Sequence, residues 1–239
     1  GTTITADTDT ILVSGTNMHQ YASAVLIDTD KIFIAHRGTN STLAGIVCTI
    51  SGTTITAGTD TTLVSGTNTY QYASAVLIDT NKVFIAHNGN GSYLKGMICT
   101  ISGTTITADT DTILVSGTNM HQYASAVLID TNKIFIAHSS DTITNYYLNG
   151  MICTISGTTI TAGSDTTLVS EINASNYASA ILIDTDKIFI SHRGDNSYLN
   201  GVVIDIETLI KTSTLKIDGL TKTECTTTTA GDVWILDTN

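Results

Sequence analysis

The sequence predicts an all-β fold of the β-propeller class, and three observations lead to it. The first is repetition, because residues 1–51, 52–102, 103–156 and 157–207 are near copies of one unit that opens with Gly-Thr-Thr-Ile-Thr. A fixed period of this size indicates one supersecondary unit that is stacked several times. The second is that each copy consists of short apolar or alternating runs between Gly, Asn, Asp and Ser, without helical periodicity. The third is that central runs are apolar on both faces, which is typical of sheets covered on both sides.

The first copy gives the order of the predicted strands. They are residues 2–6 leading into 11–14, then 21–28, 31–37 and 43–51. The chain contains no proline, so nothing interrupts the ladder hydrogen bonds of these strands. A four-stranded antiparallel sheet packed between two copies of itself is the blade of a β-propeller.

Side-chain size predicts where each strand lies in the blade. The run Ala22-Ser23-Ala24, repeated in the other copies, is small enough for the crowded strand where blades converge. The run Thr2-Thr3-Ile4-Thr5 suits a more exposed, outer strand.

A turn of the form Asp-Thr-Asp/Asn-Lys joins the second and third runs of every copy, as at residues 28–31. Asp and Asn favour tight turns because their side chains bond the nearby backbone. The paired acids Asp28 and Asp30 leave a weak ion site as the alternative. A calcium loop is not indicated, because the second acid is Asn in two copies and no further ligand or Gly has the required spacing.

The sequence leaves open how the ring closes. A ring that contains four repeat-derived blades is favoured. In one arrangement, the N-terminal strand completes the fourth blade. In a second arrangement, residues 208–216 form a degenerate outer strand, and residues 1–14 belong to an earlier blade or to another subunit. In a third, the tail is part of a fifth blade.

Residues 208–239 depart from the repeat and predict a C-terminal β module, or a ring-closing or docking segment. Two β-prone runs bracket a Thr/Gly turn, as in a hairpin. An isolated hairpin is marginally stable in water, so it is expected to dock on the propeller or on a partner. Trp234, the only tryptophan, is the candidate docking residue.

Composition excludes several partners. The net charge is −11 at pH 7, whereas nucleic-acid binding requires a basic footprint and adhesion to anionic lipid requires a basic surface. No apolar run reaches the length of about 18 residues that indicates a membrane helix. We therefore expect neither a nucleic-acid partner nor membrane insertion.

Cysteine and histidine recur in register with the repeat. Cys48, Cys99 and Cys153 are equivalent positions, which in stacked sheets lie about 10 Å or more apart, beyond disulfide reach. Buried free thiols are therefore expected. The recurrent histidines are expected to be hydrogen-bonded at the end of a strand, since copies on different blades are too far apart to share a metal; they are His36, His87, His138 and His192.

No catalytic constellation, metal site or cofactor motif is indicated, because no nucleophile elbow, zinc-protease motif or phosphate loop is present. The segment after each histidine is the most variable part of the repeat and combines Asn, Asp and Ser with Tyr. Such loops are typical of carbohydrate-contacting surfaces, where rings stack on sugars and amides bond hydroxyls. The ordinary alternative is a polar hairpin loop. The candidate ligand-binding residues are Asn40, Asn90, Tyr93, Tyr147, Asn196 and Tyr198.

The repeat, with Tyr-Ala-Ser-Ala-Val-Leu-Ile-Asp, Lys-Ile-Phe-Ile-Ala-His and Ile-Ser-Gly-Thr-Thr-Ile-Thr, resembles propeller-like repeats of phage tail-fibre and related virion proteins. The tail is similar to the small β module that follows such arrays. The resemblance implies a non-enzymatic structural protein of a phage tail or fibre, located on the virion. Its implied partners are other virion or tail proteins, copies of itself, and a host-surface glycan. The competing interpretation is a lectin-like carbohydrate-binding propeller, secreted or held at a bacterial surface.

Overall fold

The computed structural model describes residues 3, 5–14, 20–65, 72–89, 91, 93–116, 123–142, 145–170, 178–194 and 198–206. The chain divides into two units, Gly1–Ile206 and Glu207–Asn239. The second unit, with the predicted β module and Trp234, lies wholly outside the described residues.

The strands of the first unit form four antiparallel sheets, which are the four blades of a β-propeller. Blade 1 contains β1 (Gln20–Asp28), β2 (Lys31–Arg37), β3 (Leu43–Ser51), β4 (Thr54–Ala57) and β5 (Thr61–Val64). Blade 2 contains β6 (Ala73–Asp79), β7 (Lys82–Asn88), β8 (Leu94–Ser102), β9 (Thr105–Ala108) and β10 (Thr112–Val115). Blade 3 contains β11 (Ala124–Asp130), β12 (Lys133–Thr142), β13 (Asn145–Ser156), β14 (Thr159–Ala162) and β15 (Thr166–Ser170). Blade 4 contains β16 (Ala178–Asp184), β17 (Lys187–Arg193) and β18 (Leu199–Asp205). The predicted fold class is confirmed.

The outer edge of a complete blade consists of two short strands rather than one. Both β4 and β5 pair with β3, and they are separated by residues 58–60. Here Gly58 still donates its N–H to the carbonyl oxygen of Val47, at 2.9 Å. Each blade therefore takes its outer strands from the start of the next sequence copy, so blades and sequence copies are out of phase.

The Ala-Ser-Ala strands lie innermost, as predicted, and they hold consecutive blades together. Extensive contacts join β1 to β6, β6 to β11 and β11 to β16. At each junction a serine hydroxyl accepts the backbone N–H of an alanine on the next blade: Ser23 from Ala75 at 3.0 Å, Ser74 from Ala126 at 2.9 Å and Ser125 from Ala180 at 2.9 Å.

The hydrophobic core lies between blades. Blades 1 and 2 share one fully buried cluster that includes Phe33, Val47, Ile85 and Met97. Blades 2 and 3 share an equivalent one. Full burial of such a side chain stabilises the fold by about 1.5–3 kcal/mol. Stacking of blades, more than any single sheet, therefore stabilises the array.

The expectation of buried free thiols is confirmed for Cys48, Cys99 and Cys153. Burial raises the pKa of the Cys99 and Cys153 thiols to about 12, so neither is a thiolate at neutral pH. Cys225 lies outside the described residues.

The predicted turns are confirmed, and they satisfy the backbone locally. The Oδ1 atom of Asp28 accepts the N–H of Thr29 at 2.7 Å, while Lys31 Nζ lies 3.2 Å from Oδ2 of the same carboxylate. These contacts hold the pKa of Asp28 below its ordinary value, chiefly through the backbone hydrogen bond from Thr29.

The first arrangement for closing the ring is not observed among the described residues. Residues 3 and 5–14 form no strand, and blade 4 contains three strands among the described residues. Residues 3 and 5–14 therefore do not pair with β18 of their own chain. The alternative outer strand at residues 208–216 lies outside the described residues.

Glycine in the third strand of each blade makes room for a phenylalanine ring. A Cβ atom at Gly96 would lie 2.9 Å from the ring of Phe84 and 3.0 Å from Leu114, both buried. At Gly201 the ring concerned is that of Phe189, which is 37% exposed and has room to move.

We therefore predict that Gly96→Ala lowers the free energy of unfolding by about 1–3 kcal/mol, the usual cost of overpacking a filled core. Gly201→Ala is the matched control and, at a dilution where the chain is monomeric, should cost clearly less, because Phe189 can then turn toward solvent. Urea denaturation of both variants measures the difference. Equal losses would contradict the packing described for blades 2 and 4.

Candidate functional site

The connections after the recurrent histidines lie along one edge of the blades. Gln20 at the start of β1 pairs with Arg37 at the end of β2, and Leu43 at the start of β3 pairs with Val64 at the end of β5. Residues 37–43 and the start of β1 therefore lie at the same edge of blade 1. We call this the loop edge, comprising the described residues 37–43, 88–89, 91, 93–94, 139–142, 145–148, 193–194 and 198–199.

Beneath the loop edge, each of the first three histidines is tied to a carboxylate between the two outer strands of its blade. The distances from Nε2 to Oδ1 are 3.0 Å for His36 and Asp60, 2.9 Å for His87 and Asp111, and 2.9 Å for His138 and Asp165. The break between β4 and β5 is what brings Asp60 to His36, because the aspartate directly precedes β5.

The other ring nitrogen fixes the orientation of the imidazole. In His87, Nδ1 lies 3.3 Å from the carbonyl oxygen of Asn88, so Nδ1 carries a proton and donates it. The pair with Asp111 is an ion pair when the ring carries both protons. Since His87 is fully buried, the contact ties the second strand of the blade to its outer edge.

A third group completes two of these ties. Lys95 Nζ lies 2.8 Å from Oδ2 of Asp111, and in blade 3 Asn149 Nδ2 donates to Oδ2 of Asp165 at 3.0 Å. Burial alone would raise the pKa of Asp111, but the hydrogen bonds and charges of His87 and Lys95 outweigh it and hold that pKa below its ordinary value.

The histidines are hydrogen-bonded strand-end residues, as predicted. Their pairing with the recurrent aspartates was not predicted from the sequence. The available signal was that His36 and Asp60 recur at a fixed interval, as do His87 and Asp111. Among the described residues, no group of three or more His, Cys, Asp or Glu side chains could hold a metal ion.

Asn40 lies on the loop edge in a 3-10 turn, Thr39–Ser41, and its φ of 55° is the left-handed conformation that Asn tolerates. Arg37 Nη2 donates to Ser41 Oγ at 2.8 Å and braces this turn. Gly38 closes the loop by donating its N–H to the carbonyl oxygen of Thr42 at 2.8 Å.

The equivalent loops of blades 2 and 4 carry tyrosine where blade 1 has Thr42. The N–H of Gly89 donates to the carbonyl oxygen of Tyr93 at 2.9 Å, and that of Gly194 to Tyr198 at 2.8 Å. Tyr93 is half-buried, whereas Tyr198 is 66% exposed. Both tyrosines therefore occupy equivalent positions, next to the same backbone hydrogen bond.

Tyr147 does not lie in a loop as expected. The three extra residues of the third copy lengthen the hairpin, so that β12 and β13 stay paired as far as Thr142 and Asn145. Tyr147 pairs with Ser140 on one side and Ser170 on the other. Residues 139–142 therefore belong to β12 and Tyr147 to β13, so the expected loop is wrong for this part of the segment.

The remaining candidates Asn90, Asn196 and Trp234 lie outside the described residues. Those that are described lie on different blades, Asn40 on the first, Tyr93 on the second, Tyr147 on the third and Tyr198 on the fourth. They belong to a repeated surface rather than to one pocket.

A cavity of about 280 Å³ opens on blade 4 at the loop edge. Its lining includes Ser179, Ser191, His192, Tyr198 and Leu199. The Nδ1 atom of His192 donates to the carbonyl oxygen of Arg193 at 3.2 Å, as in the other blades. Within the described part of the chain, however, no carboxylate faces its Nε2 atom.

The fold and the loop edge together define a repeat propeller whose candidate site is a repeated surface rather than one deep pocket. Structural His–Asp contacts lie beneath this surface, and polar and aromatic residues lie on it. No family model matches the chain, and no curated protein matches it either. In the described part of the chain, no helix is long and apolar enough to cross a membrane.

We predict that the His87–Asp111 tie makes stability depend on acid pH. The folded-state pKa of Asp111 is lowered, so its contribution is complete above the ordinary Asp pKa of about 3.9 and is lost as pH falls through the lowered value. Between about pH 5 and about pH 2, the window that contains the ordinary and the lowered pKa of Asp111, wild type should lose more stability than Asp111→Asn.

Urea denaturation across that acid range measures the difference. At pH 7 Asp111→Ala should cost about 1–3 kcal/mol, because it leaves a buried imidazole without its partner. Parallel pH profiles for wild type and Asp111→Asn would contradict a structural role for the pair.

Proposed function

We propose that the protein is a non-enzymatic structural β-propeller of a phage tail or tail-like particle, and that its loop edge contacts a host-surface glycan. One observation carries the proposal. Among the described residues, the histidines and cysteines that recur in the repeat are buried in the blades, whereas the loop edge carries exposed amide and aromatic groups, as at Asn40 and Tyr198. This division is suited to binding by a rigid scaffold rather than to catalysis.

The histidines and cysteines support the non-enzymatic part. His36, His87 and His138 are buried and tied to carboxylates that belong to the outer strands. The thiols of Cys99 and Cys153 are buried with pKa values of about 12, far from the lowered pKa of a nucleophilic cysteine.

The exposed ring of Tyr198 and the exposed amide of Asn40 support the glycan part. An aromatic face stacks on the apolar face of a sugar, and an amide bonds its hydroxyls. Equivalent weak contacts on several blades raise the overall affinity when the ligand is itself repetitive, as surface glycans are. No deep pocket is needed for this mode of binding.

We predict that replacing Tyr93, Tyr147 and Tyr198 together by Ala weakens glycan binding about tenfold or more, the loss that corresponds to 1.4 kcal/mol. The matched control replaces three threonines in the turns at the opposite edge, Thr80, Thr131 and Thr185, by Ala. A glycan array followed by calorimetry on the best ligand measures both. Equal binding by the triple tyrosine variant and the control would exclude the loop edge as the site.

Location separates the proposal from the lectin-like alternative. An antibody against the chain should label tails or fibres in electron micrographs of purified particles, and the chain should be found in those particles by mass spectrometry. Recovery only as a free or cell-surface protein would favour the secreted lectin instead.

A further inference from the structure

Each blade has two different faces. We call the face that packs on the following blade the leading face, and the opposite one the trailing face. Between blades 1 and 2 and between blades 2 and 3, a leading face packs on a trailing face. The leading face of blade 1, with Phe33 and Val47, covers the trailing face of blade 2, with Ile85 and Met97. The same positions join blade 2 to blade 3. The array consequently ends in two unequal surfaces, the leading face of blade 4 and the trailing face of blade 1.

The leading face of blade 4 is apolar and exposed. The equivalent residues of blade 2 are covered by blade 3 and are all 0% exposed: Leu94, Phe84 and Ile98. In blade 4 Leu199 is 84% exposed, Phe189 37% and Val203 53%. Ile181 and Ile183 extend this surface along β16. The sequence thus keeps the apolar pattern of a covered face although no described residue covers it.

The trailing face of blade 1 is the matching surface. Leu26 is 60% exposed, and Ala22 and Ala24 are exposed beside it, whereas Leu77 at the equivalent position in blade 2 is half-buried. The inner strands β16 and β1 are not among the strand pairs that share extensive contacts. These two faces are the separated halves of one blade-to-blade interface.

The polar part of that interface is also present in two halves. In blade 3 His138 and Asn149 hold the two oxygens of Asp165. Blade 4 has the same pair, His192 and Asn200, at the equivalent positions of paired strands, and His192 lines the cavity described above. The carboxylate at the equivalent position in the repeat is Asp9, which is exposed in the N-terminal segment.

The N-terminal segment already lies against blade 1 where the outer strands of a preceding blade would lie. The hydroxyl of Thr53 donates to the side chain of Asp7, as the hydroxyl of Thr158 does to Asp109 between blades 2 and 3. Among the described residues, blade 1 therefore has beside it the outer part of a further blade without its inner strands, and blade 4 has inner strands without an outer part.

We propose that a second copy of this chain docks head to tail, with its blade 1 and residues 5–14 completing blade 4 of the first. Asp9 of that copy would meet His192 and Asn200, and Ser179 Oγ would accept the N–H of its Ala24, as Ser23 does from Ala75 within the chain. Two chains joined reciprocally give eight blades, within the range of closed propellers. The contact is heterologous, so it forms a ring if it closes and a filament if it does not. This inference does not depend on glycan binding.

The test uses two full-length variants, each defective in one face. Variant A carries Leu199→Asp and Val203→Asp, and variant B carries Leu26→Asp and Asp9→Ala. All four positions are exposed in the single chain, so both variants should keep the wild-type circular dichroism and should melt at the temperature of the wild-type chain that has been dissociated by dilution. Thr29→Asp with Thr80→Asp, at exposed turn positions, is the control.

Light scattering is expected to give wild type and control a mass that is a multiple of 25.2 kDa, and each variant 25.2 kDa alone. Mixing A with B restores one intact interface and should give a one-to-one complex. A monomeric wild type, or a mixture that stays monomeric, would overturn the proposal. It would also be overturned if variant A melts below the dissociated wild-type chain, because the face would then be covered by its own chain.

The aspartate provides a second readout. Asp9→Asn should weaken assembly while leaving the melting temperature of the dissociated chain unchanged, whereas Asp111→Asn should lower the stability of the chain itself. Sedimentation at several concentrations measures the first effect. Unchanged assembly in Asp9→Asn would exclude the carboxylate from the contact.

Discussion

The structure depends on one constraint: every sheet of this chain is apolar on both of its faces, so each blade needs a neighbour on either side. Phe84 and Ile85, adjacent on β7, point into different clusters and are both fully buried. A single blade of this composition would expose one apolar layer or the other to water. The repetition of the sequence and the stacking of the blades are therefore two aspects of the same requirement, since each copy creates the surface that the next one covers.

The His–Asp ties solve a related problem at the edge of the blade. The outer strands are short, and β5 follows a break in the pairing, so the backbone alone holds them weakly. A buried imidazole that bonds a carbonyl oxygen through Nδ1 and a carboxylate through Nε2 links this edge to the second strand, as His36 does with Asp60. The same use of side chains leaves the loop edge free to vary, and the variation is what a binding surface requires.

Much of the fold could be predicted from the sequence because period and side-chain size are local signals. The repeat, the innermost Ala-Ser-Ala strand, the Asp28 turn and the buried thiol of Cys99 all follow from them. The split outer strand and the strand position of Tyr147 could not be predicted, since they depend on which residues pair across the sheet. The pairing of His87 with Asp111 is likewise a tertiary contact. In the candidate site, Tyr198 is exposed and Tyr93 is half-buried. The sequence could not predict this difference, because the two tyrosines occupy equivalent positions of the repeat.

An experimental structure of the full-length protein in its assembled form would test most directly the claim that every blade face is covered by an equivalent face. The account predicts that His192 Nε2 lies about 2.9 Å from the carboxylate of Asp9 in a neighbouring copy, the hydrogen-bond distance of a charge-assisted N–H···O contact. It also predicts that Leu199 is buried there. Asp9 of the same chain at that position, or a leading face of blade 4 that remains in solvent, would contradict it.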